Sequence, residues 1–250
     1  MAMPAAGIRL PSGSHASKIR GGVEIIPHPS PNFGERRGRE APDLVVLHYT
    51  AMKTAEAALE RLCAPDFEVS SHYLIAEDGR VFQLVDDAHR AWHAGSSAWG
   101  ATTDVNSASI GVELANPGNA PFPARLMESL ETLLAEILDR YGIPPERVIG
   151  HSDCAPVRKC DPGSRFDWRR FAGNGLGIWP EMARSEGTFD SFVQDLKAFG
   201  YTFPAEPDAL LNAFRLRFRP GVIGPFDEVD AGLAADLAAR WPVDRPAAAT

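Results

Sequence analysis

Apolar and polar positions change rhythm several times along this 250-residue chain, and each change marks an element. Leu44 to His48 is a short, nearly all-apolar run that suits a strand buried on both faces. Thr54 stands where a helix cap is needed, ahead of Ala57, Ala58, Leu59 and Leu62. Two β-prone runs, Ser71 to Ile75 and Val81 to Val85, flank Asp78-Gly79, and Asp-Gly in that setting predicts a hairpin. A further strand is expected at Ser109 to Leu114. Spacings of three and four align Leu126, Leu130, Leu133, Leu134, Ile137, Leu138 and Tyr141, which predicts a long amphipathic helix ended by Gly142 and Pro144-Pro145. Val148-Ile149-Gly150 reads as a last short strand that delivers His151.

After a loose stretch from Gly173 to Gly177 the rhythm becomes helical. Phe189, Phe192, Val193, Leu196 and Phe199 predict one helix. Leu210, Leu211, Phe214 and Phe218 predict a second, closing at Pro220, and Leu233, Leu237 and Trp241 a third. Residues 1–40 are rich in Gly, Pro, Ser and Arg, the composition of a flexible tail followed by an extended lead-in. The expected organisation is that lead-in, a main domain over 41–180 and a helical domain over 181–250. Interspersed strands and helices give an α/β class, with a mixed central β-sheet flanked by helices and a small all-helical C-terminal domain. So short a helical domain has a marginal core of its own, so docking onto the main domain is expected.

Composition narrows the function classes. With 44% hydrophobic and 23% charged residues the chain has the make-up of an ordinary globular protein, and no apolar stretch is long enough to span a membrane. The net charge of -8, with no Lys or Arg run, argues against nucleic acid as a partner. Neither a secretory leader nor a lipid-attachment cysteine is visible, so a cytoplasmic location is expected, or a periplasmic one if a leader has been trimmed. Cys63, Cys154 and Cys160 are an odd set and are expected to be free thiols.

The candidate chemistry is a divided metal site. His48 ends the first apolar strand, while His151 and Asp161 lie ten residues apart around a Pro- and Gly-bounded loop. A histidine at a strand end is by itself more often a hydrogen-bonded core residue. Two imidazoles and one carboxylate together can hold zinc and leave its fourth position open, the arrangement of catalytic zinc.

These residues resemble a known family, the zinc N-acetylmuramoyl-L-alanine amidases of the type-2 amidase, peptidoglycan-recognition-protein-like class, in its two-domain form. Five ordered motifs carry the resemblance: Leu47-His48-Tyr49, Ser70-Ser71-His72-Tyr73-Leu74-Ile75 followed by Asp78-Gly79, Ala91-Trp92-His93-Ala94-Gly95, Ser109 to Leu114, and Gly150-His151-Ser152-Asp153 through Lys159-Cys160-Asp161-Pro162-Gly163. The helical tail, through Ala213 to Pro220, is similar to the C-terminal domain of the two-domain members. The resemblance implies Zn2+ held by His48, His151 and Asp161, Glu113 as acid/base, and Lys159 beside the carbonyl oxygen. It places Tyr49, Trp92, His93 and Asn106 against the substrate, and His72 in support of the site rather than on the metal. The implied partner is peptidoglycan or a muropeptide, cut during wall degradation or recycling, with the tail holding longer glycan; a monomer is expected. Two rivals stand beside this reading. One is a metal-free peptidoglycan-recognition module of the same fold, and the other is a cysteine hydrolase built on Cys154 or Cys160 with His151 as base.

Overall fold

The computed structural model describes residues 22–181 and 187–243. Up to residue 21, the tail read from composition lies outside the described residues. The lead-in beyond it is extended and supplies two short strands, β1 (Ile25–Pro27) and β2 (Phe33–Glu35). The chain continues through β3 (Leu44–Tyr49), α1 (Ala55–Cys63), β4 (Tyr73–Ile75), β5 (Val81–Gln83), β6 (His89–Ala91), α2 (Val105–Ala108) and β7 (Ser109–Leu114). Then follow α3 (Ala124–Tyr141), β8 (Val148–Gly150), α4 (His151–Cys154), α5 (Trp168–Gly173), α6 (Phe189–Phe199), α7 (Pro207–Phe218) and α8 (Glu228–Arg240).

Six strands form a mixed sheet in the order β1-β5-β4-β7-β3-β8, and β2 pairs antiparallel with β6 outside it. Only β4 and β5 run antiparallel within the large sheet, as the Asp78-Gly79 turn requires. Gly79 takes φ +90 there, in the left-handed region that a side chain disfavours. Thr54 caps α1 by accepting from the Ala57 N–H, and α3 ends at Gly142 with φ +63.

The central strand decides where the chemistry sits. Alternate residues of β3 face opposite sides, and Val45 and Leu47 enter a core with α1 and the buried stripe of α3. Leu44 and Val46 enter a second core, with Ile149, Trp99, Phe192, Leu196, Phe199, Phe214 and Phe218. The C-terminal helices therefore cover the other face of the sheet, each fully buried Leu or Phe contributing roughly 1.5–3 kcal/mol. His48 continues the Leu44-Val46 side at the end of the strand, and parallel pairing sets it beside Glu113 of β7.

Candidate metal centre

His48 lies at the C-terminal end of β3, Glu113 near that of β7, and His151 begins α4 directly after β8. Parallel pairing brings these three strand ends together. The loop after α4 returns Asp161 to the same place, where its carbonyl accepts from the Ser152 N–H at 2.9 Å. Asp161 Oδ2 lies 2.9 Å from His48 Nδ1 and 3.0 Å from His151 Nδ1. All three residues are buried, and one ligand atom from each falls within a 4.8 Å cluster. They form the floor of a cavity of about 350 Å3, walled by Tyr49, Met52, Arg61, Trp92, Glu113 and Lys159 among others.

Burial and the neighbouring His151 ring hold His48 down to a pKa of about 4, so its imidazole is neutral at pH 7. Burial opposes ionisation of Asp161, yet the two imidazoles facing it more than compensate and hold its carboxyl below the ordinary range. Glu113 is displaced the other way. Burial first, and the charge of Asp161 second, push it up to about 8 against the opposing effect of Lys159. Its Oε2 is buried with no hydrogen-bond partner.

This arrangement fits a cation. His151 Nε2 is 3.1 Å from the Ala94 carbonyl, which can only accept, so a singly protonated ring donates there and points a lone pair from Nδ1 at Asp161. A lone pair and a carboxylate at 3.0 Å repel each other unless positive charge lies between them. Two imidazoles and one carboxylate that converge in this way could hold a metal ion, and the Glu113 carboxyl lies beside them.

A family model for N-acetylmuramoyl-L-alanine amidase matches residues 38–164, slightly more than half of the chain. The chain belongs to the N-acetylmuramoyl-L-alanine amidase family. Its sequence is 34% identical over 234 residues to the N-acetylmuramoyl-L-alanine amidase AmiD of Escherichia coli, covering 80% of this chain and 84% of that protein. A solved complex of that amidase with anhydro-N-acetylmuramic acid-L-Ala-D-gamma-Glu-L-Lys superposes with a TM-score of 0.74 at 31% identity, over 84% of this chain and 98% of that one. AmpDH3 of Pseudomonas aeruginosa with anhydromuramic pentapeptide gives 0.71 at 30% identity, over 82% and 94%. The 1,6-anhydro-N-acetylmuramyl-L-alanine amidase AmpD of Haemophilus influenzae is 34% identical over 160 residues, 57% of this chain and 87% of that one.

Of the residues singled out in this amidase-family sequence, His48, Tyr49, Trp92, His93, Glu113, His151, Lys159 and Asp161 all border the cavity. Asn106 does not. It is buried behind the wall, where its Oδ1 accepts from the His93 and Ala94 N–H groups at 3.0 and 2.8 Å. Tyr49 OH lies 3.0 Å from Cys160 Sγ at the rim, its ring packed where Gly118, at φ +92, leaves room. His72 stands apart from the His48, His151 and Asp161 cluster. Its Nδ1 accepts from Gly111 N–H at 2.9 Å and its Nε2 donates to the His89 carbonyl at 3.1 Å, tying β4 to β7 and β6.

Three contributors went unseen in the sequence. Arg158 borders the cavity and donates to the Ala94 and Ser96 carbonyls. Arg61 reaches the cavity from α1 with its guanidinium over the Phe67 ring. Gly111 lies under the His93 ring, where an added Cβ would come within 2.5 Å of His93 Cγ. Gly111 interrupts the strand motif Ser109-Ile110-Gly111-Val112, and a glycine inside a strand is a usable signal of close approach. The two arginines gave none.

For Cys154 the cysteine rival finds no support in this geometry. Cys154 is wholly buried, its thiol pushed up by burial and donating to the His151 carbonyl rather than facing the ring. All three cysteines are unpaired. Among the described residues, no helix is long and apolar enough to cross a membrane.

Proposed function

We propose that this chain hydrolyses the amide between the lactyl group of N-acetylmuramic acid, or of its 1,6-anhydro form, and L-alanine, with zinc as the metal. The observation that carries the reading is the convergence of His48 Nδ1, His151 Nδ1 and Asp161 Oδ2 beneath a cavity bordered by Glu113, whose buried Oε2 has no partner. When bound, zinc supplies positive charge that polarises a carbonyl and lowers the pKa of water towards neutrality. With a bound cation beside it favouring its carboxylate form, Glu113 would take one proton from the attacking water as the C–O bond forms and return it to the departing L-alanine nitrogen as the C–N bond breaks. Lys159 offers its ammonium group to the oxygen on which negative charge develops. Tyr49 and Trp92 supply flat walls for sugar and peptide.

A recognition module that only holds peptidoglycan needs neither a complete ligand set nor a buried carboxyl whose pKa is raised to about 8, and both favour the enzyme. The division of labour is part of the same proposal: residues 41–180 perform the chemistry, and residues 181–250 hold longer glycan against it. AmiD, whose solved complex contains a muropeptide, matches the chain over most of that length.

The test is product analysis with a purified 1,6-anhydro muropeptide. Release of the free peptide should stop with a chelator and return with zinc, whereas full activity in rigorously metal-free protein overturns the reading. Glu113→Gln should keep zinc while turnover falls by about two to four orders of magnitude.

A further inference from the structure

Two hydrogen-bond chains behind the metal site end on backbone carbonyl groups, and a carbonyl accepts but never donates. Each chain therefore has one direction. In the first, Ser109 Oγ donates to the Val105 carbonyl at 2.6 Å. Its proton is thereby used, so it accepts from His93 Nε2 at 3.2 Å. A singly protonated His93 then presents a lone pair at Nδ1, 3.0 Å from His48 Nε2. His48 must donate through Nε2, which leaves Nδ1 bare on the side of Asp161. In the second chain His151 Nε2 donates to the Ala94 carbonyl, which in a singly protonated ring leaves Nδ1 bare as well.

Both chains pass through adjacent residues, His93 and Ala94. One side chain fixes that pair, because Asn106 Oδ1 accepts from both of their backbone N–H groups. Asn106 lies in α2, which also carries the Val105 carbonyl at the end of the first chain. Gly111 completes the seat by letting the His93 ring lie directly on the β7 backbone.

We propose that the His93–Ala94 segment, clasped by Asn106, is an orienting clamp that presents Nδ1 of both ligand imidazoles to the metal. The inference rests on the metal reading above and adds roles that it does not contain. His93 and Asn106 are positioning residues, acting through His48 and His151 rather than on substrate. A ligand imidazole whose other nitrogen is held loses neither its tautomer nor its angle when the metal leaves. Loss of such a partner typically weakens metal binding by about 10- to 100-fold.

The test measures zinc affinity by competition with a chromophoric chelator, with the melting temperature of every variant alongside. His93→Leu removes the acceptor for His48, and zinc binding should weaken by about 10- to 100-fold. His93→Asn returns an acceptor oxygen to the position of Nδ1 and should recover most of the loss. Likewise Asn106→Leu should weaken zinc binding, while Asn106→Asp, which keeps the accepting oxygen, should stay nearer the wild type. NMR adds a readout that packing alone does not move: a slowly exchanging Nε2 proton on His48 in zinc-loaded wild type, kept in His93→Asn and lost in His93→Leu.

If His93→Leu fails to fold, Ser109→Ala removes a single hydroxyl from the same chain and decides by the same measure, weaker zinc binding supporting the clamp and unchanged binding overturning it. Equal affinities for wild type and folded His93→Leu, or a His93→Asn as weak as His93→Leu, overturn the clamp alone. A wild-type protein that takes up no zinc overturns the metal reading beneath it.

Discussion

Two buried polar clusters meet on α4, and they are built on opposite terms. His151 faces the metal site, where two bare imidazole nitrogens and a carboxylate oxygen crowd together and Glu113 Oε2 has no partner. Two residues on, Asp153 faces the C-terminal helices and is satisfied on both oxygens. Its Oδ2 accepts from the Gly150 N–H and from Arg217 Nη1, each at 2.7 Å, and its Oδ1 accepts from the Tyr201 hydroxyl. Arg217 is 1% exposed; it also donates to the Val148 carbonyl and lies over the Trp168 ring. In sequence the two clusters are one motif, His151-Ser152-Asp153. Arg217 Nε is left without a partner, but the charges of this second cluster are paired within the chain, whereas the Glu113 carboxyl faces an open cavity.

The Asp153 cluster also joins β8 and α4 to the C-terminal helices, because Val148 and Gly150 lead directly into His151. Deleting residues 181–250 should therefore break more than a binding surface. It uncovers Leu44, Val46 and Ile149 and leaves Asp153 without Arg217 and Tyr201. The expected outcome is loss of the cooperative melting transition and of activity on short muropeptide and intact sacculi together. A stably folded, muropeptide-active fragment would show the seam to be dispensable.

A single change isolates the same contact. Arg217→Met should cost about 3–5 kcal/mol in denaturant unfolding, because it strands a buried carboxylate. Adding Asp153→Asn should restore part of that loss by removing the stranded charge. If the double variant is no better than the single one, the defect is packing rather than charge.

The metal site should respond with the opposite sign. Glu113 has a folded pKa of about 8 against an ordinary 4.5, so the folded state holds a proton that the unfolded state gives up. Stability from this group is intact below pH 4.5 and falls as pH rises towards 8, on the order of 1 kcal/mol per pH unit. In metal-free protein Glu113→Gln should melt above the wild type, by a margin that widens across that range. A constant margin would place the carboxyl in contact with water. The smallest effect is expected at the rim: Cys160→Ser should leave turnover essentially unchanged, because Cys160 contacts Tyr49 rather than the metal ligands.

Legibility in the sequence followed locality. The β3 run, the α3 stripe and the Asp78-Gly79 turn carry their own signals and form where the pattern puts them. Strands of three residues, such as β1 and β6, show no periodicity, and β1 exists only by pairing with β5, Ile25 opposite Val81. At the site, the convergence of His48, His151 and Asp161 was legible because two imidazoles and a carboxylate are an unusual set for buried positions. Asn106 was expected against substrate, and a sequence cannot show that its oxygen is already taken by two backbone N–H groups 12 and 13 residues away. Arg217 and Asp153 lie 64 residues apart, and neither announces the other.

One zinc ion is expected among His48, His151 and Asp161, and none at Asp153. Anomalous diffraction at the zinc edge, from crystals of zinc-loaded protein, tests this most directly. The expected result is one strong peak within bonding distance of His48 Nδ1, His151 Nδ1 and an Asp161 carboxylate oxygen, with Glu113 close by but not coordinated. A peak elsewhere, or none in a crystal whose solution carries stoichiometric zinc, would contradict it.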